Sequence, residues 1–175
     1  MVVGALSTSA AVLLIVAGVA KIRTPGPASA MIGALLPRVR PGAWTARGAG
    51  VIELVVGALA LVAGTRVAMA ALAACYLVLA AVAIRLAAGP QRVPCGCFGA
   101  ADGTTGRAQV VLDVACLAVA LAGVIRPPGA VTALFDGGAL VGVSVLAQAL
   151  LLAALGYLSV TALPALSALT TEARR

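Results

Sequence analysis

Long apolar runs alternate with short polar segments along the chain, and each run is about as long as a membrane-spanning helix. A helix needs roughly 20 mostly apolar residues to cross the hydrocarbon core of a bilayer. The pattern predicts an all-α integral membrane bundle of four antiparallel helices in two hairpins, within residues 1–126, plus a fifth C-terminal transmembrane helix within residues 127–175. The predicted spans are residues 2–22, 47–64, 67–86, 108–125 and 138–163.

The segment between the first two predicted spans, residues 24–46, is polar and rich in proline. Its short apolar stretch, residues 28–36, is too brief to cross a membrane, so an interfacial helix is predicted there. Trp44 lies where the second span begins, as interfacial aromatic residues do. If successive spans alternate in direction, this segment shares a face of the membrane with the polar loop 89–106.

Glycines at seven-residue spacing mark one face of the second span: Gly50, Gly57 and Gly64. Small residues allow neighbouring helices to approach closely. Gly138 and Gly142 give a weaker signal of the same kind at the start of the fifth span. These faces are candidate contacts with a neighbouring helix or with another membrane subunit.

Composition agrees with a membrane protein, because 63% of residues are hydrophobic and 10% are charged, whereas soluble domains carry about 25% charged residues. The net charge of +7 is interpreted as loop charge, since no basic run interleaved with aromatic residues indicates nucleic-acid binding. The absence of histidine excludes Ser-His, Cys-His and His-metal chemistry. The lipid bilayer is the partner that this composition requires.

Two acid–base couples lie at matching depths in successive spans. Lys21 ends the first span and Glu53 follows early in the second, while Arg85 and Asp113 repeat the arrangement in the third and fourth. Ion pairs within each couple would reduce the cost of placing ionisable groups near hydrocarbon. The alternative is that each side chain extends independently to the interface.

The most distinctive chemistry lies in the loop 89–106, where Gly96 alone separates Cys95 from Cys97. A disulfide across one residue departs from relaxed geometry, and glycine tolerates the backbone angles that it requires. Such a bond is easily reduced, which favours a disulfide that is made and broken over a permanent one. Arg92 provides a cationic neighbourhood that favours the reactive thiolate. The candidate catalytic residues are Cys95 and Cys97, and the supporting residues are Arg92, Pro94, Gly96, Phe98 and Gly99.

Two other functions stay open. Cys-x-Cys can bind a soft ion such as Cu(I) or Zn, but a closed zinc site is hard to assemble without histidine, and no metal ligand is assigned. In a non-enzymatic assembly factor or structural subunit, the thiols would only pin the loop. Cys75 and Cys116 lie in apolar runs and are expected to pack in the core.

Residues 94–99 resemble the MauE branch of the DoxX-like membrane proteins. Residues 17–22 with Pro25 are similar to that family's first-span ending, and residues 51–57 to its second-span acidic motif, so the resemblance covers about residues 12–125. It implies a redox-associated four-helix bundle that helps to form or maintain disulfides in exported proteins, beside a thioredoxin-like partner. MauE itself is linked to maturation of the disulfide-rich small subunit of methylamine dehydrogenase. The chain departs from the family in its Leu112-Asp113 step, where members often have Arg-Asn, and in its extra fifth span.

The resemblance implies a bacterial cytoplasmic membrane protein whose thiol loop lies outside the cytoplasm, where disulfides persist. The positive-inside rule predicts the opposite, because most basic residues lie on the face that holds the loop. We expect the extracytoplasmic side. Electrons from the thiols would pass to a second carrier. No cofactor motif is evident, and a quinone in the bilayer or a second thiol protein is the candidate.

Overall fold

Six α-helices and one short 3-10 helix make up the part of the chain that the computed structural model describes, residues 2–36, 41–89, 96 and 107–172. Five of the α-helices are long and apolar enough to cross a membrane. The all-α membrane fold is therefore confirmed. The helices are α1 (Val2–Arg23), α2 (Pro25–Leu35), α3 (Ala43–Ala63), α4 (Arg66–Ala88), α5 (Arg107–Ile125) and α6 (Ala139–Glu172), with the 3-10 helix Val131–Phe135 before α6.

The short helix α2 lies between the first two spans, where an interfacial helix is predicted. It begins at Pro25, because proline is pre-organised for the first helical position and its missing N–H would have no partner there. Thr24 precedes it, and the backbone N–H of Leu36 closes its last turn on the carbonyl of Ile32. The two residues that this helix buries are Ala28 and Met31.

The link between α3 and α4 consists of two residues, Gly64 and Thr65. Gly64 has a φ of 54°, in the left-handed region, and its N–H bonds the carbonyl of Ala60 to end α3. Thr65 caps α4 by accepting a hydrogen bond from Ala68 N at 3.3 Å. Gly64, predicted to share the packing face of Gly50 and Gly57, lies just after the helix, and its close contact is with the backbone of Gly129 and not with a neighbouring helix.

The helix α1 runs through the centre of the bundle and is the most buried of the spans. It contacts α3, α5 and α6, and Tyr76 of α4 donates a hydrogen bond to Ala10 O at 2.6 Å. Ser9 Oγ donates to Ala149 O at 2.9 Å, which joins α1 to α6. The core consists mainly of alanine and leucine side chains between these helices.

Glycines bring α1 and α3 into close antiparallel contact. A Cβ atom on Gly18 would lie 2.6 Å from Gly50 O, and one on Gly50 would lie 2.7 Å from Gly18 O. Farther along, a Cβ on Gly57 would lie 2.9 Å from Ala11 O and 2.7 Å from Ile15 Cγ1. The predicted packing role of Gly50 and Gly57 is confirmed, and the neighbouring helix belongs to the same chain.

The weaker glycine signal before α6 has a different structural role. Gly138 has a φ of 106° and lies just before the helix, with no atom close to the position of a Cβ. Gly142 packs on the Phe135 ring, where a Cβ would lie 2.3 Å from Cδ1. Since Gly142, like Gly50 and Gly57, contacts the chain itself, these glycines do not form a free face for another subunit.

Candidate functional site

Gly96 is the one residue of the Cys-Gly-Cys motif that the structure describes, and it is buried. It has a φ of 69°, and a Cβ atom would lie 2.6 Å from Ala28 Cα and 2.7 Å from Ala28 N. Glycine is required here for two reasons, because an L side chain disfavours this backbone conformation and because the backbone of α2 leaves no room for one. The loop 89–106 and the segment that contains α2 are predicted to lie on the same face of the membrane, and they meet at Gly96.

The other predicted residues of the motif lie outside the described residues. These are Cys95, Cys97, Arg92, Pro94, Phe98 and Gly99. Both cysteines are covalent neighbours of Gly96, which itself lies against Pro27 and Ala28 of α2.

A buried ion pair joins the last turn of α1 to the middle of α3. Lys21 Nζ is 2.8 Å from Glu53 Oε1 and 2.7 Å from Oε2. The side chains are only 2% and 9% exposed. The close approach of α1 and α3 at Gly18 and Gly50 brings the lysine and the carboxylate together, and the predicted pairing of Lys21 with Glu53 is confirmed.

The second predicted pair, Arg85 with Asp113, is wrong. Arg85 is exposed in the last turn of α4 and makes no ion pair with Asp113, although both residues are described. Asp113 is buried and accepts hydrogen bonds from Gln109 Nε2 at 3.0 Å and 2.9 Å. The long arginine side chain can reach the surface, whereas the glutamine lies one helical turn from the carboxylate and is already held beside it.

Sequence reasoning missed Gln109, although its i, i+4 spacing from Asp113 on one helix was a usable signal. Gln109 is 3% exposed, and its Oε1 has no hydrogen-bond partner. The glutamine and the aspartate line a small cavity with Tyr76 and Cys116. The first turns of α5 thus place a second buried polar pair at the end of the bundle to which the thiol loop connects.

The two cysteines inside the spans are free thiols, Cys75 partly buried and Cys116 buried. Cys116 belongs to the core cluster and Cys75 packs against it. Their predicted role in core packing is confirmed. No disulfide joins Cys75 to Cys116.

Five helices that are long and apolar enough to cross a membrane define a multi-pass membrane protein. The family model described as methylamine utilisation protein MauE matches residues 1–126, and the chain belongs to this family. Searches of curated proteins and of solved structures gave no match. The family match covers α1 to α5, whereas the 3-10 helix and α6 follow it.

Proposed function

We propose that the protein is a membrane thiol-disulfide redox component that exchanges a Cys95–Cys97 disulfide with a thioredoxin-like partner during maturation of exported proteins. In each exchange a thiolate of the reduced partner attacks one sulfur of the pair and displaces the other as a thiolate. The partner's second thiol then resolves the mixed disulfide. Two electrons and two protons pass in this way from the partner dithiol to the Cys95 and Cys97 sulfurs.

The observation that carries this proposal is the burial of Gly96 against Ala28. A close fit to the α2 backbone would hold the motif in one position relative to the bundle. Pre-organisation of this kind lowers the entropic cost of placing a reactive group before a partner.

The reduced pair must then pass two electrons and two protons to a further acceptor. A lipid-soluble quinone accepts both and becomes a quinol, while the dithiol becomes a disulfide. A second thiol protein would accept the same electrons and protons through a further thiol–disulfide exchange. Membership of the MauE family supports a role in methylamine utilisation, and an extracytoplasmic loop fits a role in exported proteins because disulfides persist there.

The rival function, a non-enzymatic assembly factor, has less support. Its proposed binding surfaces are the glycine faces and the fifth span, and of these the glycines Gly50, Gly57 and Gly142 pack within the chain. It predicts that the double variant Cys95→Ser/Cys97→Ser keeps full function. Loss of function in that variant, with the protein still present in the membrane, would argue against the rival.

Trapping of a mixed disulfide tests the proposal directly. The single variants Cys95→Ser and Cys97→Ser, produced in cells that contain the native partners, are quenched with acid and N-ethylmaleimide and separated without reductant. We expect one of them to accumulate a covalent complex with a thioredoxin-like protein, because the remaining loop thiolate attacks the disulfide of the oxidised partner in the reverse reaction, and the second loop thiol that would complete this exchange is missing. Cys75→Ser is the matched control, since Cys75 packs against the core. If neither loop variant yields a complex, exchange is the wrong chemistry.

A further inference from the structure

A lateral groove of about 290 Å³ lies between α3 and α4. Its walls include Ala49, Ile52 and Glu53 of α3 and Ala74, Cys75 and Val78 of α4. Ile52 is 60% exposed and Val78 is 62% exposed, so the mouth of the groove opens on the outer surface of the bundle. In a membrane this surface faces lipid.

The path of the two helices explains the groove. The helices are joined by only two residues at Gly64 and Thr65, yet α3 packs chiefly against α1, and α4 packs chiefly against α5. They therefore separate with distance from the link. Alanines at positions 49 and 74 leave the resulting space unfilled.

The polar groups of the groove are the Glu53 carboxylate and the Cys75 thiol. Lys21 binds both carboxylate oxygens but does not line the groove. Each carboxylate oxygen has further lone-pair capacity beyond the bond from the lysine. The groove thus offers a hydrogen-bond acceptor within apolar walls, and a complementary ligand has an apolar body and a hydroxyl donor.

We propose that this groove binds the head group of a lipid-soluble quinol, with a ring hydroxyl donating to Glu53. The inference rests on the proposed function, in which dithiol plus quinone gives disulfide plus quinol. The volume is close to the lower end of the ~300–1,000 Å³ range of small-molecule sites. A phospholipid acyl chain would fill the apolar part but has no donor for the carboxylate.

The test uses the full chain in phosphatidylcholine proteoliposomes and a photoreactive ubiquinol analogue. Labelled peptides are mapped by mass spectrometry, and decylubiquinol or its dimethyl ether is added as competitor. We expect labelling of α3 and α4 around Glu53 and Cys75, and competition at least about tenfold weaker from the ether, which lacks both hydroxyl donors.

Two variants of exposed alanines give a matched comparison. Ala74→Leu fills the groove and should weaken labelling about tenfold or more, whereas Ala58→Leu adds the same bulk to an exposed position of α3 outside the groove and should leave it unchanged. Equal effects of the two variants, equal competition by quinol and ether, or labels elsewhere would overturn the inference. The first of these results would show that the label reports general packing, and the second that the groove is an acyl-chain site.

Binding can be separated from thiol exchange. The Cys95→Ser/Cys97→Ser variant should still be labelled, because neither cysteine is among the groove residues. Labelling without any mixed disulfide in the trapping experiment would refute the proposed exchange and leave the groove assignment standing. Exchange without labelling would refute the groove assignment alone.

Discussion

Replacement of Gly96 by alanine should release the thiol loop from α2. At a φ of 69° a residue with a side chain costs roughly 1–2 kcal/mol more than glycine. The new Cβ would lie 2.6 Å from Ala28 Cα, a contact with backbone that no rotamer change can relieve. Overpacking of this kind costs about 1–3 kcal/mol. A combined cost of at least about 2 kcal/mol would shift the docking equilibrium about 30-fold towards release.

The assay is the rate at which a maleimide alkylates the reduced loop cysteines in a background without Cys75 and Cys116. We expect Gly96→Ala to react faster, because release of the buried Gly96 gives the two cysteines bonded to it more freedom to meet the reagent. Gly26→Ala is the control, since Gly26 lies exposed in α2 with no atom near the position of a Cβ. The double variant Gly96→Ala/Ala28→Gly should react as fast as Gly96→Ala, because the clash involves backbone atoms. An unchanged rate in Gly96→Ala would refute the reasoning.

Three further outcomes follow from the structure. Lys21→Met should lower the stability in detergent by about 3–5 kcal/mol, because it leaves Glu53 buried and unpaired, and Lys21→Met/Glu53→Gln should recover much of the loss. The exposed control Arg85→Met should change stability by less than about 0.5 kcal/mol, and a double variant no more stable than Lys21→Met would contradict the argument. Gly57→Ala should lower the free energy of unfolding by about 1–3 kcal/mol, because the new methyl group forces α1 away from α3. The control Gly48→Ala should leave it unchanged, since the space at its Cβ position is open. Equal effects of the two variants would contradict the packing argument. A membrane-impermeant maleimide should label the loop cysteines in intact cells after gentle reduction, and labelling only after lysis would place them in a reducing compartment and rule out the exported-disulfide role.

The sequence pointed to part of the buried polar site and not to all of it. Lys21 and Glu53 were predictable as partners, since each lies near the same end of successive spans and Gly50 marks the face where the helices meet. The sequence pairs Asp113 with the wrong partner, because the position of a residue along a helix does not show from which side of the helix its side chain projects. In a helix that is apolar on every side, periodicity does not mark the inward face.

The contact of Gly96 with α2 shows the same limit. A Cys-Gly-Cys motif indicates that its glycine matters for backbone conformation, and the φ of Gly96 agrees with this. That the same glycine also lies against Ala28 depends on residues 68 positions apart in the chain. No local pattern encodes such a contact.

The sequence by itself determined that the protein has helices able to span a membrane, about where these begin and end, and which loop carries the Cys-Gly-Cys motif, because these follow from the length of apolar runs and from the positions of the residues themselves. Only the tertiary structure decided that Gln109 and Asp113 are buried inside the bundle, that Gly96 fits the backbone of α2 and that α3 and α4 separate around Glu53. These features depend on how each helix is rotated about its axis and on how closely its neighbours approach. Packing among all the helices sets both quantities, and hydrophobic length does not report them.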